Sequence, residues 1–117
     1  MTVAASEIGS LIDVDPLDMP SIRDGVRVID VRECSEFEGE LGRVPGAASV
    51  PLAELLEWSK HRSKQEPLLV VCRAGRRSAA AGALLIRSGF ERVFNLRGGM
   101  QAYHSAGLPV ERGPCPC

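Results

Sequence analysis

The stretch LLVVCRAGRRSAAAGALL, residues 68–85, carries the clearest structural signal in the chain. Four apolar residues lead to Cys72, a loop with three arginines and a glycine follows, and a run rich in alanine and leucine completes the stretch. Apolar residues at successive positions are typical of a strand that is covered on both faces, as in a parallel sheet. The alanine-rich run favours a helix. The stretch therefore predicts a βα unit with a thiol at the end of its strand.

The predicted helix spans residues 78–89 and directly follows the cysteine loop. Ser78 is a suitable N-cap and Gly89 is a suitable C-terminal stop. Because the segment is apolar nearly all round, we expect the helix to be buried. For Ser78 we favour the capping role. A direct hydrogen bond from Ser78 to the cysteine sulfur is the alternative.

Strands and helices alternate along the rest of the chain. The predicted strands lie at residues 10–14, 27–32, 47–51, 67–72 and 91–96, and the other predicted helices lie at residues 52–62 and 100–107. Strands that alternate with helices indicate an α/β fold with a parallel sheet. We expect a single domain over residues 1–112 and an irregular tail over residues 113–117, because the sequence GPCPC contains two prolines and a glycine.

The composition is that of a globular domain and argues against several partners. Hydrophobic residues make up 44% of the 117 residues, charged residues make up 25%, and the net charge is −1. This balance argues against nucleic acid, and no apolar run approaches the ~20 residues of a membrane span. The N-terminal segment lacks the features of a secretory signal, so we expect a cytoplasmic protein. Its four cysteines are then expected to be free or reactive thiols rather than a disulfide framework.

Cys72 is the candidate nucleophile. Binding sites in open α/β sheets form beyond the carboxyl ends of the strands, and Cys72 lies at such an end. The following helix presents free amides and the positive end of its dipole, and Gly75 permits a loop that curls around the sulfur. Such surroundings lower a thiol pKa from about 8.5 to about 3.5–7.5. We therefore predict an activated thiolate that reacts with small anions.

The loop after Cys72 is predicted to bind an anionic substrate. Its backbone amides and some of its arginine side chains suit negative charge on the substrate or on the sulfur. The predicted substrate-binding residues are Arg73, Ala74, Gly75, Arg76, Arg77 and Ser78. Asp30 and Arg32 end another strand on the same edge of the sheet, and we expect them to form a structural charge pair that positions the loops. Direct contact between this pair and the substrate is the alternative.

Two kinds of cysteine enzyme place the nucleophile in a loop of this type. Tyrosine phosphatases use the pattern C-x5-R, but the residue at the arginine position here is Ser78. Sulfur transfer needs a six-residue loop from the cysteine to its last residue, and residues 72–77 have that length. The spacing favours sulfur transfer, with phosphatase or arsenate reductase chemistry as an alternative.

Three segments of the chain resemble the rhodanese-like family, over about residues 11–110 in all. The segment VIDVRECSEFEGELGRVPGAASVPL, residues 28–52, is similar to the first signature of the family. The segment VVCRAGRRS, residues 70–78, is similar to its active-site loop, and VFNLRGGMQAYHSAGLPV, residues 93–110, is similar to its closing segment. Two positions differ from the family, since Arg43 replaces a frequent histidine and Tyr103 replaces the usual tryptophan.

The resemblance implies a three-layer α/β/α domain with a five-stranded parallel sheet. It also implies a sulfurtransferase in which Cys72 takes a sulfane sulfur from a small anionic donor, such as thiosulfate or a persulfide, and becomes a persulfide. The acceptor is then cyanide or a thiol, which includes protein thiols. We expect no cofactor and no metal. A non-catalytic module of the same fold that binds a protein or senses sulfur is the alternative, and the presence of Cys72 argues against it.

The other cysteines have several interpretations. Cys115 and Cys117, in the tail, are candidates for a sulfur relay that receives sulfur from Cys72 or resolves its persulfide as a disulfide. A tail without a role in the chemistry is one alternative, and a Cu(I) site in the C-x-C pair is another. We expect Cys34 to take no part in the reaction, with a second reactive thiol as the alternative.

Overall fold

The computed structural model describes residues 10–115 and contains all five expected strands. The strands are β1 (Leu11–Val14), β2 (Arg27–Asp30), β3 (Ala48–Ser49), β4 (Leu68–Val71) and β5 (Val93–Leu96). They form one parallel sheet in the order β1–β5–β4–β2–β3. The predicted five-stranded parallel sheet is therefore confirmed, and Cys72 directly follows its central strand.

Helices cover both faces of this sheet. They are α1 (Met19–Ile22), α2 (Cys34–Phe37), α3 (Leu55–Ser59), α4 (Arg76–Arg87) and α5 (Gly99–Ser105). One buried cluster contains Met19 of α1 and Met100 of α5, and the other contains Leu55 of α3 and Leu85 of α4. This arrangement confirms the three-layer α/β/α fold. Within the described residues, none of the helices is long and apolar enough to cross a membrane.

Strand β4 shows why the apolar run in the sequence does not alternate. All four of its residues are fully buried. Leu69 and Val71 pack in the cluster with α1 and α5, whereas Leu68 and Val70 pack in the cluster with α3 and α4. Successive side chains of a strand point to opposite faces, so a strand covered on both faces must be apolar throughout.

Helix α4 differs from the prediction at its N-terminus and on its surface. It begins at Arg76 rather than at residue 78, and its N-cap is Gly75. Ser78 therefore lies inside the first turn, and its predicted role as N-cap is wrong. The helix is also buried along one face only, which is formed by Ser78, Ala81, Gly82 and Leu85. The alanines on the outer face satisfy helix propensity and need no burial.

The predicted helix at residues 52–62 is shorter and less regular than expected. A 3₁₀ turn over Leu52–Glu54 precedes α3. Leu55 is fully buried, but Leu52 is 38% exposed and Leu56 is 49% exposed. A 3₁₀ turn advances each residue by a larger angle than an α-helix does, so leucines on opposite sides of the junction do not share one buried stripe.

Two single-turn helices, α1 and α2, carry no periodicity in the sequence. Helix α1 follows a 3₁₀ turn whose N-cap, Asp15, accepts a hydrogen bond from the Leu17 amide at 3.0 Å. Helix α2 begins with a capping box between Glu33 and Glu36. One turn is too short to show a 3.6-residue repeat, so only these caps could have indicated the helices in advance.

The last described residues cross the loop that follows α2. Arg43 and Glu111 exchange two backbone hydrogen bonds, of 3.0 and 2.9 Å, and Arg43 Nη1 donates to Gly113 O at 2.9 Å. Residues 113–115 have no regular secondary structure. The division into a domain over residues 1–112 and a tail over residues 113–117 remains a prediction.

Candidate active site

Cys72 lies at the carboxyl edge of the sheet, directly after β4. Only 1% of the residue is exposed. Its backbone oxygen accepts a hydrogen bond from the Met100 amide at 2.8 Å, and the next oxygen along, that of Arg73, accepts one from the Gln101 amide at 2.9 Å. These contacts join the end of the central strand to α5, so the candidate nucleophile occupies a fixed position.

The loop over residues 73–75 curls around the Cys72 sulfur. The Gly75 amide donates a hydrogen bond to Cys72 Sγ at 3.0 Å. Gly75 has a φ of 97°, which residues with a Cβ rarely adopt. On the other side of the loop, a Cβ at Gly99 would lie 2.6 Å from Arg73 O. Gly75 therefore lets the loop curl around the sulfur, and Gly99 lets α5 approach the backbone of the loop closely.

Ser78 contacts the sulfur directly. Its side-chain oxygen lies 3.2 Å from Cys72 Sγ, and the residue is fully buried. The same hydroxyl is hydrogen-bonded to Asn95 Oδ1. Of the two roles considered for Ser78 in the sequence, the structure supports the hydrogen bond to sulfur.

The surroundings of Cys72 favour its thiolate. Burial raises the pKa of the Cys72 thiol, but the hydrogen bonds around the sulfur lower it by more. The donors are the Ser78 hydroxyl and the amides of Ser78, Gly75 and Ala74. The pKa of Cys72 is therefore lowered from its ordinary value. A lower pKa increases the fraction of thiolate, which is the nucleophilic form of cysteine.

The arginines of the loop have different surroundings. Arg73 and Arg76 are exposed. Arg77 forms a bidentate ion pair with Glu36 of α2, in which both N–O distances are 2.8 Å. Arg77 therefore joins α4 to α2, and its side chain could bind a substrate only if this ion pair opened.

We expect Glu36→Gln to lower the stability of the protein by about 1 kcal/mol at neutral pH, since the ion pair is partly exposed. The hydrogen bonds from Arg77 lower the pKa of Glu36 from 4.5 to about 2. A carboxyl whose pKa is lower in the folded state stabilises the fold above its unfolded pKa and loses that contribution as the pH falls. The difference between wild type and variant should therefore disappear between about pH 4.5 and about pH 2.

Urea unfolding across this pH range is the measurement for Glu36→Gln. Glu40→Gln is the matched control, because Glu40 is an exposed carboxylate near the same helix. A loss of stability that stays constant with pH, or an equal loss in the control, would contradict the assignment.

Asp30 and Arg32 form the expected charge pair, and both residues are buried, with exposures of 0% and 1%. Arg32 Nε donates to Asp30 Oδ1 at 2.9 Å, and Arg32 Nη2 donates to Asp30 Oδ2 at 2.7 Å. Arg32 Nη2 also donates to Gly42 O at 2.8 Å. The pair thus connects the end of β2 to the loop that follows α2. Its role in positioning the active-site loops remains a prediction.

Cys34 and Cys115 form a disulfide, with their Cα atoms 5.6 Å apart. This pairing corrects the expectation that the four cysteines are free or reactive thiols. Reduced thiols were expected from the compartment alone, whereas the crossing of the tail over the loop after α2 brings two cysteines 81 positions apart into contact. Within the described residues, Cys72 is the free cysteine. Cys117 lies outside the described residues.

The sequence reasoning missed three residues near the site: Asp13, Glu36 and Asn95. Asn95 Nδ2 donates to Asp13 Oδ1 at 3.0 Å, and Asn95 Oδ1 contacts Ser78. The available signal was a polar residue inside each of two apolar strands, LIDV and VFNL. A buried polar side chain needs a hydrogen-bond partner, but the pattern does not identify that partner.

Comparisons with known proteins agree with this fold. The family model for the Rhodanese-like domain matches residues 13–106. The chain is similar to the thiosulfate sulfurtransferase GlpE of Vibrio cholerae, with 28% identity over 100 residues that cover 86% of this chain and 92% of that protein. It is also similar to a sulfurtransferase of Allochromatium vinosum, with 33% identity over 87 residues that cover 74% of this chain and 79% of that protein.

A solved structure gives the same result for the fold. The rhodanese-related protein of Thermoplasma volcanium matches with a TM-score of 0.78 and 29% identity, over 86% of this chain and 97% of that chain. The region matched by the family model runs from β1 to the end of α5 and contains Cys72 with its loop. The chain belongs to the rhodanese-like domain family.

Proposed function

We propose that the chain is a sulfurtransferase that carries a sulfane sulfur on Cys72. The observation that carries the proposal is the set of donors around the sulfur, since Gly75 and Ser78 both lie within hydrogen-bond distance of Sγ. This arrangement stabilises negative charge on the cysteine before the reaction. The Gly75 amide and the Ser78 hydroxyl also suit the negative charge of a persulfide after the reaction.

In the first half-reaction, the Cys72 thiolate attacks the outer sulfur of thiosulfate. A new S–S bond forms at Cys72, the S–S bond of thiosulfate breaks, and sulfite leaves with the electron pair. A persulfide donor reacts in the same way and releases its own thiolate. In the second half-reaction, cyanide or an acceptor thiolate attacks the outer sulfur, and Cys72 leaves as the thiolate. The cycle needs no net oxidant and no net reductant.

Arg73 of the loop lines a surface cavity that also contains two glutamates. A surface cavity of about 300 Å³ is lined by Arg73 and Arg32, together with Ser35, Glu36, Gly39, Glu40 and Leu41. Arg73 is exposed there, so its guanidinium can meet an anion in solvent. We propose that this cavity admits the donor, and that the acceptor is a thiol of a small molecule or of a protein.

Intact mass spectrometry tests the proposal directly. After incubation of the wild type with thiosulfate, we expect a gain of one sulfur atom, which cyanide removes as thiocyanate. A chromogenic phosphate ester should not be turned over, because Ser78 occupies the position of the phosphatase arginine. No gain of sulfur with either thiosulfate or a persulfide donor would contradict the proposal and favour a non-catalytic module.

The sulfur relay through Cys115 and Cys117 stays a prediction, with an added requirement. Cys115 is paired with Cys34, so it can accept sulfur only after this disulfide is reduced. In the cytoplasm, the compartment that we propose, the disulfide would be exposed to cellular reductants. The relay therefore predicts transfer that depends on the redox state of the protein.

A variant with Ser at positions 34, 115 and 117 separates the relay from the central reaction. We expect its sulfur loading and its turnover with cyanide to equal those of the wild type, because Cys72 and its donors are unchanged. Transfer to a thiol acceptor is then compared in reduced proteins. Slower transfer in the variant would support the relay, whereas equal transfer would exclude it. A loss of loading itself would contradict the assignment of Cys72 as the residue that takes sulfur from the donor.

A further inference from the structure

Four side chains form a hydrogen-bonded row that ends at the candidate nucleophile. Asp13 and Asn95 are register partners on the neighbouring strands β1 and β5. Asn95 Nδ2 donates to Asp13 Oδ1 at 3.0 Å, and Asn95 Oδ1 contacts the Ser78 hydroxyl. That hydroxyl lies 3.2 Å from Cys72 Sγ. Asn95 and Ser78 are buried, with exposures of 5% and 0%, so water does not freely replace either partner.

When Cys72 is a thiolate, the row has one hydrogen-bond donor fewer than its acceptors need. A serine hydroxyl has a single proton. Two acceptors compete for the proton of Ser78, namely the amide oxygen of Asn95 and the sulfur of a Cys72 thiolate. A thiol at Cys72 removes the conflict, because it can donate to Ser78 Oγ. The direction of the Ser78 hydroxyl is therefore coupled to the protonation of Cys72.

Asp13 determines which atom of Asn95 faces Ser78. An ionised carboxylate only accepts hydrogen bonds, so it holds the amide NH₂ group of Asn95 towards itself. The amide oxygen then faces Ser78. Without Asp13 the amide of Asn95 could rotate and present NH₂ to Ser78, which would release the hydroxyl proton towards the sulfur.

We propose that Asn95, oriented by Asp13, is a positioning residue that competes with the Cys72 sulfur for the single hydroxyl proton of Ser78. The proposal rests on the proposed function, in which the Cys72 thiolate is the nucleophile. When the Ser78 hydroxyl donates to Asn95 Oδ1, the thiolate of Cys72 loses one hydrogen-bond donor and the thiol is favoured. When the hydroxyl donates to Cys72 Sγ instead, the thiolate gains this hydrogen bond. The row thus sets how readily Cys72 becomes nucleophilic.

Other charged groups lie on the elements around Cys72 and stay constant in the test. They are Arg73, Arg76 and Arg77 on the loop and α4, Asp30 and Arg32 at the end of β2, Glu36 on α2, and Arg97 after β5. Arg32 is paired with Asp30, and Arg77 is paired with Glu36. Because none of these residues is substituted in the variants, their effects cancel when variants are compared.

The test measures the pKa of Cys72 in the full chain from its rate of alkylation by iodoacetamide as a function of pH. After alkylation, trypsin isolates Cys72 in the peptide of residues 65–73. Cys34 falls in the peptide of residues 33–43, and the tail cysteines fall in residues 113–117. Mass spectrometry of the first peptide therefore reports Cys72 alone. This readout needs no sulfur transfer.

We expect Asn95→Leu to lower the pKa of Cys72 by about half to one unit, which corresponds to the gain of one hydrogen bond by the thiolate. Asp13→Ala should shift the pKa in the same direction, and Ser78→Ala should raise it. In the Ser78→Ala background, Asn95→Leu and Asp13→Ala should have no further effect. Asp24→Ala is the charge-matched control. Asp24 is exposed and precedes β2, so it lies at the amino-terminal ends of the strands, away from Cys72.

Two outcomes would overturn the proposal. One is a pKa that stays constant or rises in Asn95→Leu. The other is a shift of the same size with and without Ser78, which would show a general electrostatic effect. If Asn95→Leu does not fold, Asp13→Ala decides by the same criteria, because Asp13 is exposed on an edge strand. Failure of the wild type to load sulfur would refute the proposed function but would leave these shifts measurable.

Discussion

Cys72→Ser is expected to abolish sulfur loading from thiosulfate and from persulfide donors. A serine hydroxyl is far less acidic than a thiol and forms no S–S bond, so the donors around position 72 would have no nucleophile to activate. The substitution replaces sulfur with the smaller oxygen in a buried position that already offers two hydrogen-bond partners. We therefore expect the fold to be retained.

The measurement for Cys72→Ser is intact mass after exposure to each donor, with circular dichroism to confirm folding. The variant with Ser at positions 34, 115 and 117 is the matched control, because it keeps Cys72 and lacks the other cysteines. The control should gain one sulfur, and Cys72→Ser should gain none. Sulfur found on Cys72→Ser, or its absence on the control, would place the carrier elsewhere.

Asp30→Asn is expected to destabilise the protein by about 3–5 kcal/mol. The substitution leaves the Arg32 charge buried, at 1% exposure, without its counter-ion. A domain of this size has a free energy of unfolding of about 5–15 kcal/mol, so a large part of the stability would be lost. Arg32→Met should have a similar cost, because it leaves the buried Asp30 carboxylate without its counter-ion and its side-chain donors.

The double variant Asp30→Asn/Arg32→Met tests the cause of this loss. Removal of both charges avoids an uncompensated charge in the interior, so the double variant should be much more stable than the sum of the single effects predicts. Glu66→Gln is the control, because Glu66 pairs with Arg27 at the other end of β2 in a more exposed position. It should cost about 0–1 kcal/mol. Guanidinium unfolding monitored by circular dichroism gives all four values. Additive single effects would contradict this account.

Much of the fold was predictable because its signals are local. The apolar run of β4 reflects burial on both faces, and the alternation of strands with helices indicated a parallel sheet. Cys72, Gly75 and Ser78 lie within seven consecutive positions, so their proximity follows from chain continuity. Local patterns were less reliable at element ends. Ser78 has the residue type of a cap, yet Gly75 takes that position because the loop needs a left-handed backbone there.

The sequence by itself determined the sheet, the candidate nucleophile and the loop around it, because each is encoded in a short contiguous segment. Only the tertiary structure decided which distant residues contact one another. The contact of Asn95 with Asp13 spans 82 positions, that of Arg77 with Glu36 spans 41, and the disulfide spans 81. The strand order places β1, the first strand, beside β5, the last. Such contacts depend on how the elements pack together, and residue spacing along the chain does not encode that packing.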